Sequence, residues 1–181
     1  MERLLSPQQV TRALERLFRV VRADLSAAEP LAVIGIRTRG EVLARRIVEH
    51  LRARRERPVD FGVLDITFYR DDLSLRKGMP LVRATEIDFE LDGKVVLLVD
   101  DVLQTGRSVR AAMDALVDFG RPKAIRLAVL IDRGGRELPI SADYVGTRLK
   151  APTRARVQVH LKEHDGEDGV FLVRPSQTDK K

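Results

Sequence analysis

The stretch "VVLLVDDVLQTGRSVRAAMDAL", residues 95–116, decides the fold of this chain. It begins with five apolar residues, continues through two adjacent aspartates and a Thr-Gly-Arg-Ser turn, and ends in a helical pattern. A buried strand, a tight turn and a helix in this order are typical of sheets covered by helices. The turn would place backbone N–H groups at a helix N-terminus, where they can bind a phosphate.

The two aspartates, Asp100 and Asp101, limit what kind of phosphate that turn can bind. Carboxylates beside the turn would repel a bare phosphate, but they would accept hydrogen bonds from the hydroxyls of a ribose 5-phosphate. They could also hold Mg²⁺, directly or through water. The alternative is structural, because acidic residues that follow a strand often cap the next helix.

The rest of the chain alternates strand and helix patterns. These patterns predict a single α/β domain over residues 1–181, with a central, mostly parallel sheet flanked by helices. Polar residues 69–83 predict a flexible lid loop, and residues 176–181 a disordered tail. The predicted strands are 31–36, 59–68, 95–99 and 124–131, and the predicted helices begin at Pro7, Glu41 and Ser108.

Composition narrows the possible partners and the location. The chain has no cysteine, which excludes disulfides and suits a reducing cytoplasm. No apolar run approaches the roughly 20 residues that a membrane span needs, and the N-terminus lacks the layout of a signal peptide. We therefore expect a cytoplasmic protein that does not contact membranes. The net charge of +6 favours an anionic partner, such as a phosphorylated ligand or a nucleic acid.

Three segments together resemble one family. The opening stretch resembles the phosphoribosyl pyrophosphate (PRPP) signature of type I phosphoribosyltransferases. The segments "DITFYRDDLS" (65–74) and "DRGGRELPISADYVG" (132–146) are similar to the bifunctional pyrimidine-operon regulators and uracil phosphoribosyltransferases, the PyrR family. The resemblance covers nearly the whole chain. It implies a type I phosphoribosyltransferase fold with a small C-terminal hood, and the reaction of uracil with PRPP to give UMP and diphosphate.

The resemblance also implies roles for particular residues. Asp100 and Asp101 would hold the ribose hydroxyls with Mg²⁺ nearby, and Arg70 and Arg83 in the lid would act on the leaving diphosphate. The resemblance implies that Tyr144 contacts uracil, but Tyr144 could equally be a packed core aromatic. The implied PRPP-binding residues are Thr38, Arg39, Gly40, Asp100, Asp101, Val102, Leu103, Gln104, Thr105, Gly106, Arg107 and Ser108. Of these, Thr38, Arg39 and Gly40 match the family's diphosphate loop. The implied uracil-binding residues are Asp132, Arg133, Tyr144 and Val145.

The second role implied by the resemblance is binding of pyrimidine-operon leader RNA, with uridine nucleotides as co-effectors. Arg16, Arg19 and Arg136 are the candidate RNA-binding residues. The chain departs from the family pattern here, because Glu15 and Arg19 stand where relatives carry Thr and His, and Gly135 replaces another His. A basic helix face can also be an ordinary solvated surface.

Three functions therefore stay open. The chain could be an active uracil phosphoribosyltransferase that also regulates, an RNA-binding regulator with vestigial catalysis, or a type I transferase for another base. The resemblance further implies a homodimer or a larger homo-oligomer.

Overall fold

Eight strands and four helices make up the computed structural model, which describes residues 1–25, 29–53, 58–69 and 84–174. Their order is β1 (Glu2–Leu5), α1 (Pro7–Asp24), β2 (Leu31–Ile36), α2 (Arg39–Ala53), β3 (Val59–Leu64), β4 (Val95–Leu103), α3 (Arg107–Leu116), β5 (Ala124–Asp132), β6 (Tyr144–Arg148), β7 (Arg156–His160), α4 (Lys162–Asp165) and β8 (Gly169–Val173). Short 3₁₀ turns follow β3 (Thr67–Tyr69) and α3 (Val117–Phe119).

The central sheet has five strands in the order β3-β2-β4-β5-β6. All its neighbouring strands run parallel, so their carboxyl ends meet at one edge. The predicted α/β fold with a mostly parallel sheet is confirmed. The strand predicted over 59–68 is shorter in the structure, because β3 ends at Leu64 and a 3₁₀ turn begins at Thr67.

Helices cover both faces of the sheet because alternate residues of each strand point to opposite sides. On β4, Val95, Leu97 and Val99 pack in one apolar cluster with α1 and α2. Val96 and Leu98 pack in the other cluster with α3. These strands are apolar on both sides, which is typical of a parallel sheet buried between helices.

The hood is a second, antiparallel sheet in the order β1-β8-β7. Val159 of β7 and Val170 of β8 belong to the same apolar cluster as α1 and α2, so the hood shares the core of the main sheet. The sequence patterns missed β1 and the short α4. β1 is a four-residue edge strand whose pairing partner is β8, more than 160 residues away, so no local pattern reveals it.

The predicted lid and tail fall largely outside the described residues. Arg70, Arg83 and the tail 176–181 lie outside them, and the described part of the lid is Tyr69, whose hydroxyl donates to Asp118. Between β3 and β4, the described residues from 84 onward form one isolated bridge, between Val63 and Glu86. Within the described ranges, no helix has the length and apolar character to cross a membrane.

One arginine of α2 fastens the hood to the main sheet. Arg46 donates to both carboxylate oxygens of Glu163, at 2.8 and 2.5 Å, and to both of Asp168, at 2.9 and 2.8 Å. The Arg46 hydrogen bond lowers the pKa of Glu163. Burial alone would raise the pKa of Asp168, but the bonds from Arg46 and the Lys162 N–H outweigh it and lower that pKa.

These two lowered pKa values predict acid-sensitive stability. The folded-state pKa values lie below the ordinary values of 4.5 and 3.8, so the stabilisation is complete above about pH 5 and is lost as pH falls through the folded values. Melting temperatures at pH 7, 5, 4 and 3 should fall steeply at the acid end. In Arg46→Met the two carboxylates lose this partner, so the melting temperature should fall less steeply with pH. An equally steep fall in that variant would show that the acid sensitivity does not come from the Arg46 cluster.

Candidate functional site

The central sheet has a stepped carboxyl edge. The pairing of β2 with β4 ends at Gly35 opposite Val99, whereas the pairing of β4 with β5 continues to Leu103 opposite Asp132. The two aspartates therefore lie inside β4, not after its end as the sequence pattern suggested, but beyond the reach of β2. The N-terminus of α2 lies in the space above this step.

Glycines allow α2 to approach the step closely. A Cβ atom on Gly40 would lie 2.5 Å from the Val99 carbonyl oxygen and 3.2 Å from the Cα of Asp100. A Cβ atom on Gly35 would lie 2.5 Å from the Cα of Glu41. Because only hydrogen atoms fit at both positions, the turn at residues 37–40 rests directly against the backbone that carries the aspartates.

The two carboxylates at the step are largely shielded from water. The Asp100 residue is 8% exposed, and its Oδ1 accepts the Asp101 N–H at 2.9 Å. The Asp101 Oδ1 accepts the Val102 N–H at 2.9 Å. Burial raises the pKa of Asp101, while its hydrogen bond with Asp100 and the charge of Arg39 act in the opposite direction. A ligand that brings hydroxyl donors or a cation would stabilise the charged form of this pair.

The turn after β4 leaves a helix N-terminus open. Gly106 is the N-cap of α3 with φ = 92°, a left-handed conformation that favours glycine, and it supplies no capping side chain. By contrast, Ser6 and Gln9 form a complete capping box at the start of α1. Among the first N–H groups of α3, that of Arg107 donates to Thr105 Oγ1 at 3.3 Å. The Gly106 N-cap offers no side chain to the others, and together with the helix dipole they can bind a phosphate.

The turn is braced from behind by the segment that follows β5. Arg136 donates to the carbonyl oxygens of Leu103 and Gln104, at 3.3 and 2.9 Å, and to Asp132 Oδ1 at 2.8 Å. The N–H groups of Glu137 and Leu138 donate to the Thr105 carbonyl oxygen. These bonds hold the carbonyl groups of the turn away from the side on which a ligand would bind.

A cavity of about 250 Å³ lies against this turn. One wall is the signature itself and the opposite wall comes from β7 of the hood. The lining residues are Asp100, Val102, Leu103, Gln104, Thr105, Gly106, Ser108, Val109, Arg156 and Val157. The cavity is therefore bounded by the phosphate turn, one of the acid groups and the hood.

The predicted diphosphate loop, residues 38–40, lies beside the acid pair. The preceding peptide, Arg37–Thr38, is cis. Arg39 donates to both oxygens of Asp165 in the hood, at 3.0 and 2.6 Å. Arg37 donates to Glu86 at 2.5 Å, and its buried Nε has no partner among the described residues. The structure thus brings two arginines to the edge that carries the aspartates.

The four predicted uracil-binding residues do not converge. Asp132 accepts hydrogen bonds from the Gly134 N–H and from Arg136. Burial alone would raise the pKa of Asp132, but these bonds outweigh it and lower that pKa. Arg133 is buried and donates to the carbonyl oxygens of Ala155 and Pro152. Tyr144 is a core residue whose hydroxyl donates to Asp24 at 2.5 Å, and Val145 packs on the α3 face. The side chain of Tyr144 is committed to the core and does not line the cavity.

The three predicted RNA-binding residues lie in two places. Arg16 and Arg19 are on the exposed face of α1, together with Arg12 and Glu15. Arg16 also donates to the Gly146 carbonyl oxygen at 3.2 Å. Arg136 is instead committed to bracing the phosphate turn, so the structure separates it from the α1 surface.

The acid pair fits a metal that arrives with its substrate. Among the described residues, no group of three or more His, Cys, Asp or Glu side chains is arranged to hold a metal ion by itself. Mg²⁺ is commonly bound by one or two carboxylates together with substrate phosphates and water. Adjacent Asp100 and Asp101 beside a phosphate turn match that oxygen donor set.

Three hood residues at the site were missed in the sequence, namely Arg156, Val157 and Asp165. Alternation in "RVQVHL" predicts a strand, but nothing in it shows that this strand folds over the β4 turn. Asp165 stands in a polar segment like many surface acids. All three reach the site through hood contacts that are remote in the sequence.

Solved structures with the same fold are phosphoribosyltransferases. A hypoxanthine phosphoribosyltransferase of Staphylococcus aureus matches with a TM-score of 0.70 at 17% identity, over 96% of this chain and 93% of that one. A hypoxanthine-guanine phosphoribosyltransferase of Bacillus anthracis matches with a TM-score of 0.65 at 21% identity, over 82% and 84% of the two chains. At these identities the likeness shows the fold alone.

Sequence comparisons show the family. Residues 1–164 match the phosphoribosyl transferase domain. Bifunctional protein PyrR of Roseiflexus sp. is 48% identical over 98% of this chain and 97% of its own length. Bifunctional protein PyrR of Deinococcus radiodurans is 50% identical over 95% and 94%. The chain therefore belongs to the phosphoribosyltransferases and, among them, to the bifunctional PyrR family of pyrimidine-operon regulators with uracil phosphoribosyltransferase activity.

Proposed function

We propose that this protein transfers the phosphoribosyl group of PRPP to uracil, giving UMP and diphosphate. The observation that carries the proposal is the cavity whose wall contains both the glycine-capped N-terminus of α3 and Asp100. A ribose phosphate needs N–H donors for its phosphate and a carboxylate acceptor for its hydroxyls. The PyrR relatives and the family match support the same reaction class.

The cavity suggests how the substrates lie. The 5-phosphate would accept hydrogen bonds from the N–H groups of residues 105–108, and the ribose hydroxyls would donate to Asp100 and Asp101. The phosphate and the ribose would then take up the walls formed by the turn and the acid pair. The base would therefore lie toward β7, against Arg156 and Val157. Asp132 and Arg133 would contribute indirectly, by fixing the loops on which the hood rests.

The reaction needs positioning and charge stabilisation rather than a nucleophilic side chain. The uracil nitrogen N1 loses its proton, to the departing diphosphate or to water, and forms a bond to C1′. The C1′–O bond to diphosphate breaks, and its electron pair leaves with the diphosphate. Arg39 and the lid residues Arg70 and Arg83 would face this growing negative charge. Mg²⁺ held with PRPP by Asp100 and Asp101 would neutralise part of it. The lid would exclude water from an oxocarbenium-like transition state.

The Asp100→Asn variant tests the ribose assignment. Losing the charged acceptor should lower kcat/KM for PRPP by roughly 10–100-fold. A hydrogen bond to a charged group contributes about 1.5–3 kcal/mol, which corresponds to a rate factor of this size. UMP formation from uracil, PRPP and Mg²⁺ can be followed by chromatography. The melting temperature should change little, because this carboxylate serves a ligand and not the core.

Asp114→Asn is the matched control, since Asp114 lies on exposed α3 surface and pairs with Arg110. It should keep full activity. An Asp100→Asn protein that unfolds would contradict the ribose assignment and favour a structural cap. A panel of free bases in the same assay separates uracil transfer from transfer to another base such as a purine.

We also infer that the protein binds pyrimidine-operon leader RNA in response to uridine nucleotides. The exposed face of α1, with Arg12, Arg16 and Arg19, supplies cations for phosphate contacts. Its relatives are named bifunctional proteins, which supports a second role. Glu15 on the same face would repel phosphate, so the arginines must outweigh it. A cytoplasmic location and a homodimer or larger assembly complete the proposal.

Arg19→Ala tests the RNA surface. If Arg19 contacts one phosphate, the variant should weaken leader-RNA binding uniformly and reduce the slope of log K against log salt by about one. Gel shifts with and without UMP at several salt concentrations give both quantities. Lys123→Ala, which changes an exposed cation just before β5, should leave the slope unchanged. Absence of any UMP-dependent, sequence-specific shift in the unaltered protein would refute the regulatory role.

A further inference from the structure

An ion pair joins the hood to the predicted diphosphate loop. Arg39 is the first residue of α2, and Asp165 is the last residue of α4, 126 positions later. The Arg39 Nε donates to Asp165 Oδ2 at 3.0 Å, and Nη2 donates to Oδ1 at 2.6 Å. The side chains are 22% and 12% exposed, so the pair is shielded from most of the solvent.

Asp165 is itself held in place by the hood backbone. Its Oδ2 also accepts the Leu161 N–H at 2.9 Å, which closes the turn between β7 and α4. Burial alone would raise the pKa of Asp165, but the bonds from Arg39 and the Leu161 N–H outweigh it and lower that pKa. Asp165 is therefore a fixed anion, and the guanidinium that binds it has little rotational freedom.

The geometry of the pair leaves part of the guanidinium available. An arginine has five N–H donors, and pairing through Nε and Nη2 leaves the Nη1 edge facing away from Asp165. Arg39 also lies close enough to the acid pair for its positive charge to oppose the burial that raises the pKa of Asp101. Its neighbour Gly40 rests against Val99 and Asp100. The fixed cation therefore lies at the side of the step where the proposed diphosphate leaves.

Arg46 provides an internal comparison. It lies two turns further along α2 and makes its own bidentate bonds to Asp168 and Glu163. Neither ion pair lines the cavity, but Arg39 directly precedes Gly40, which rests against Val99 and Asp100. Fastening the hood is thus already achieved by Arg46, whereas the Arg39 pair lies next to the acids.

We propose that Asp165 is a positioning residue, whose carboxylate holds the Arg39 guanidinium at the diphosphate end of the site. This inference rests on the proposed transfer from PRPP. Asp165 does not touch the substrate. It fixes the direction of Arg39, so that diphosphate binds to an arginine that is already ordered and loses less side-chain freedom on binding.

The test compares Asp165→Asn, Asp165→Glu and the matched control Asp168→Asn in the full-length protein. Calorimetric titration with inorganic pyrophosphate and Mg²⁺ measures the diphosphate end directly. Steady-state assays give KM for PRPP and for uracil. Asp165→Asn should weaken pyrophosphate binding and raise KM for PRPP by on the order of tenfold or more, because misplacing a charged group by about 1 Å is costly. KM for uracil should change much less, and Asp165→Glu should restore part of the loss.

Asp168→Asn should lower the melting temperature and leave pyrophosphate affinity unchanged. Equal pyrophosphate affinity in the unaltered protein and Asp165→Asn would overturn the inference, as would equal effects of Asp165→Asn and Asp168→Asn. The two proposals fail separately. A protein that binds pyrophosphate but makes no UMP would refute the proposed reaction, while the ratio of affinities between variants would still decide the role of Asp165.

Discussion

The close packing of α2 on β4 is the constraint on which the site depends. At Gly40 the helix backbone lies so near the Val99 carbonyl group that no side chain fits, and Gly35 makes the matching contact from β2. This packing is possible only because β2 ends before β4 does. Three parts of the site, the turn at residues 37–40, the acid pair and the phosphate turn, are therefore held together by backbone contacts.

Charge balance around the acid pair follows from that packing. Two adjacent carboxylates in a shielded position are costly, and burial raises the pKa of Asp101. Arg39 offsets part of this cost and is itself balanced by Asp165. The charges therefore alternate from the hood to the proposed ribose position: Asp165 is negative, Arg39 is positive, and the acid pair is negative. A Mg²⁺–PRPP complex would complete this series, since it brings both the cation that the acids need and the anion that the arginines need.

Sequence reasoning succeeded where the determinants are local. The strand, the two aspartates and the Thr105–Ser108 turn are contiguous, so their placement together at one edge of the sheet could be predicted. The parallel sheet followed from the alternation of apolar strands and amphipathic helices. It was less successful in the hood. Arg156 and Asp165 reach the site through strand pairing and a long-range ion pair, and Tyr144 belongs to the core because α1 and Asp24 pack beside it. Such contacts join residues that are far apart in the sequence, and local residue patterns do not reveal them.

A crystal structure of the protein with UMP and Mg²⁺–pyrophosphate bound would test the ribose and phosphate assignments most directly. The UMP phosphate should lie within hydrogen-bonding distance of the N–H groups of residues 105–108, and the ribose hydroxyls should bind Asp100 and Asp101. Pyrophosphate should contact the Arg39 guanidinium while Asp165 still binds its other edge. UMP bound elsewhere, or a ribose that does not touch the two aspartates, would contradict the central claim.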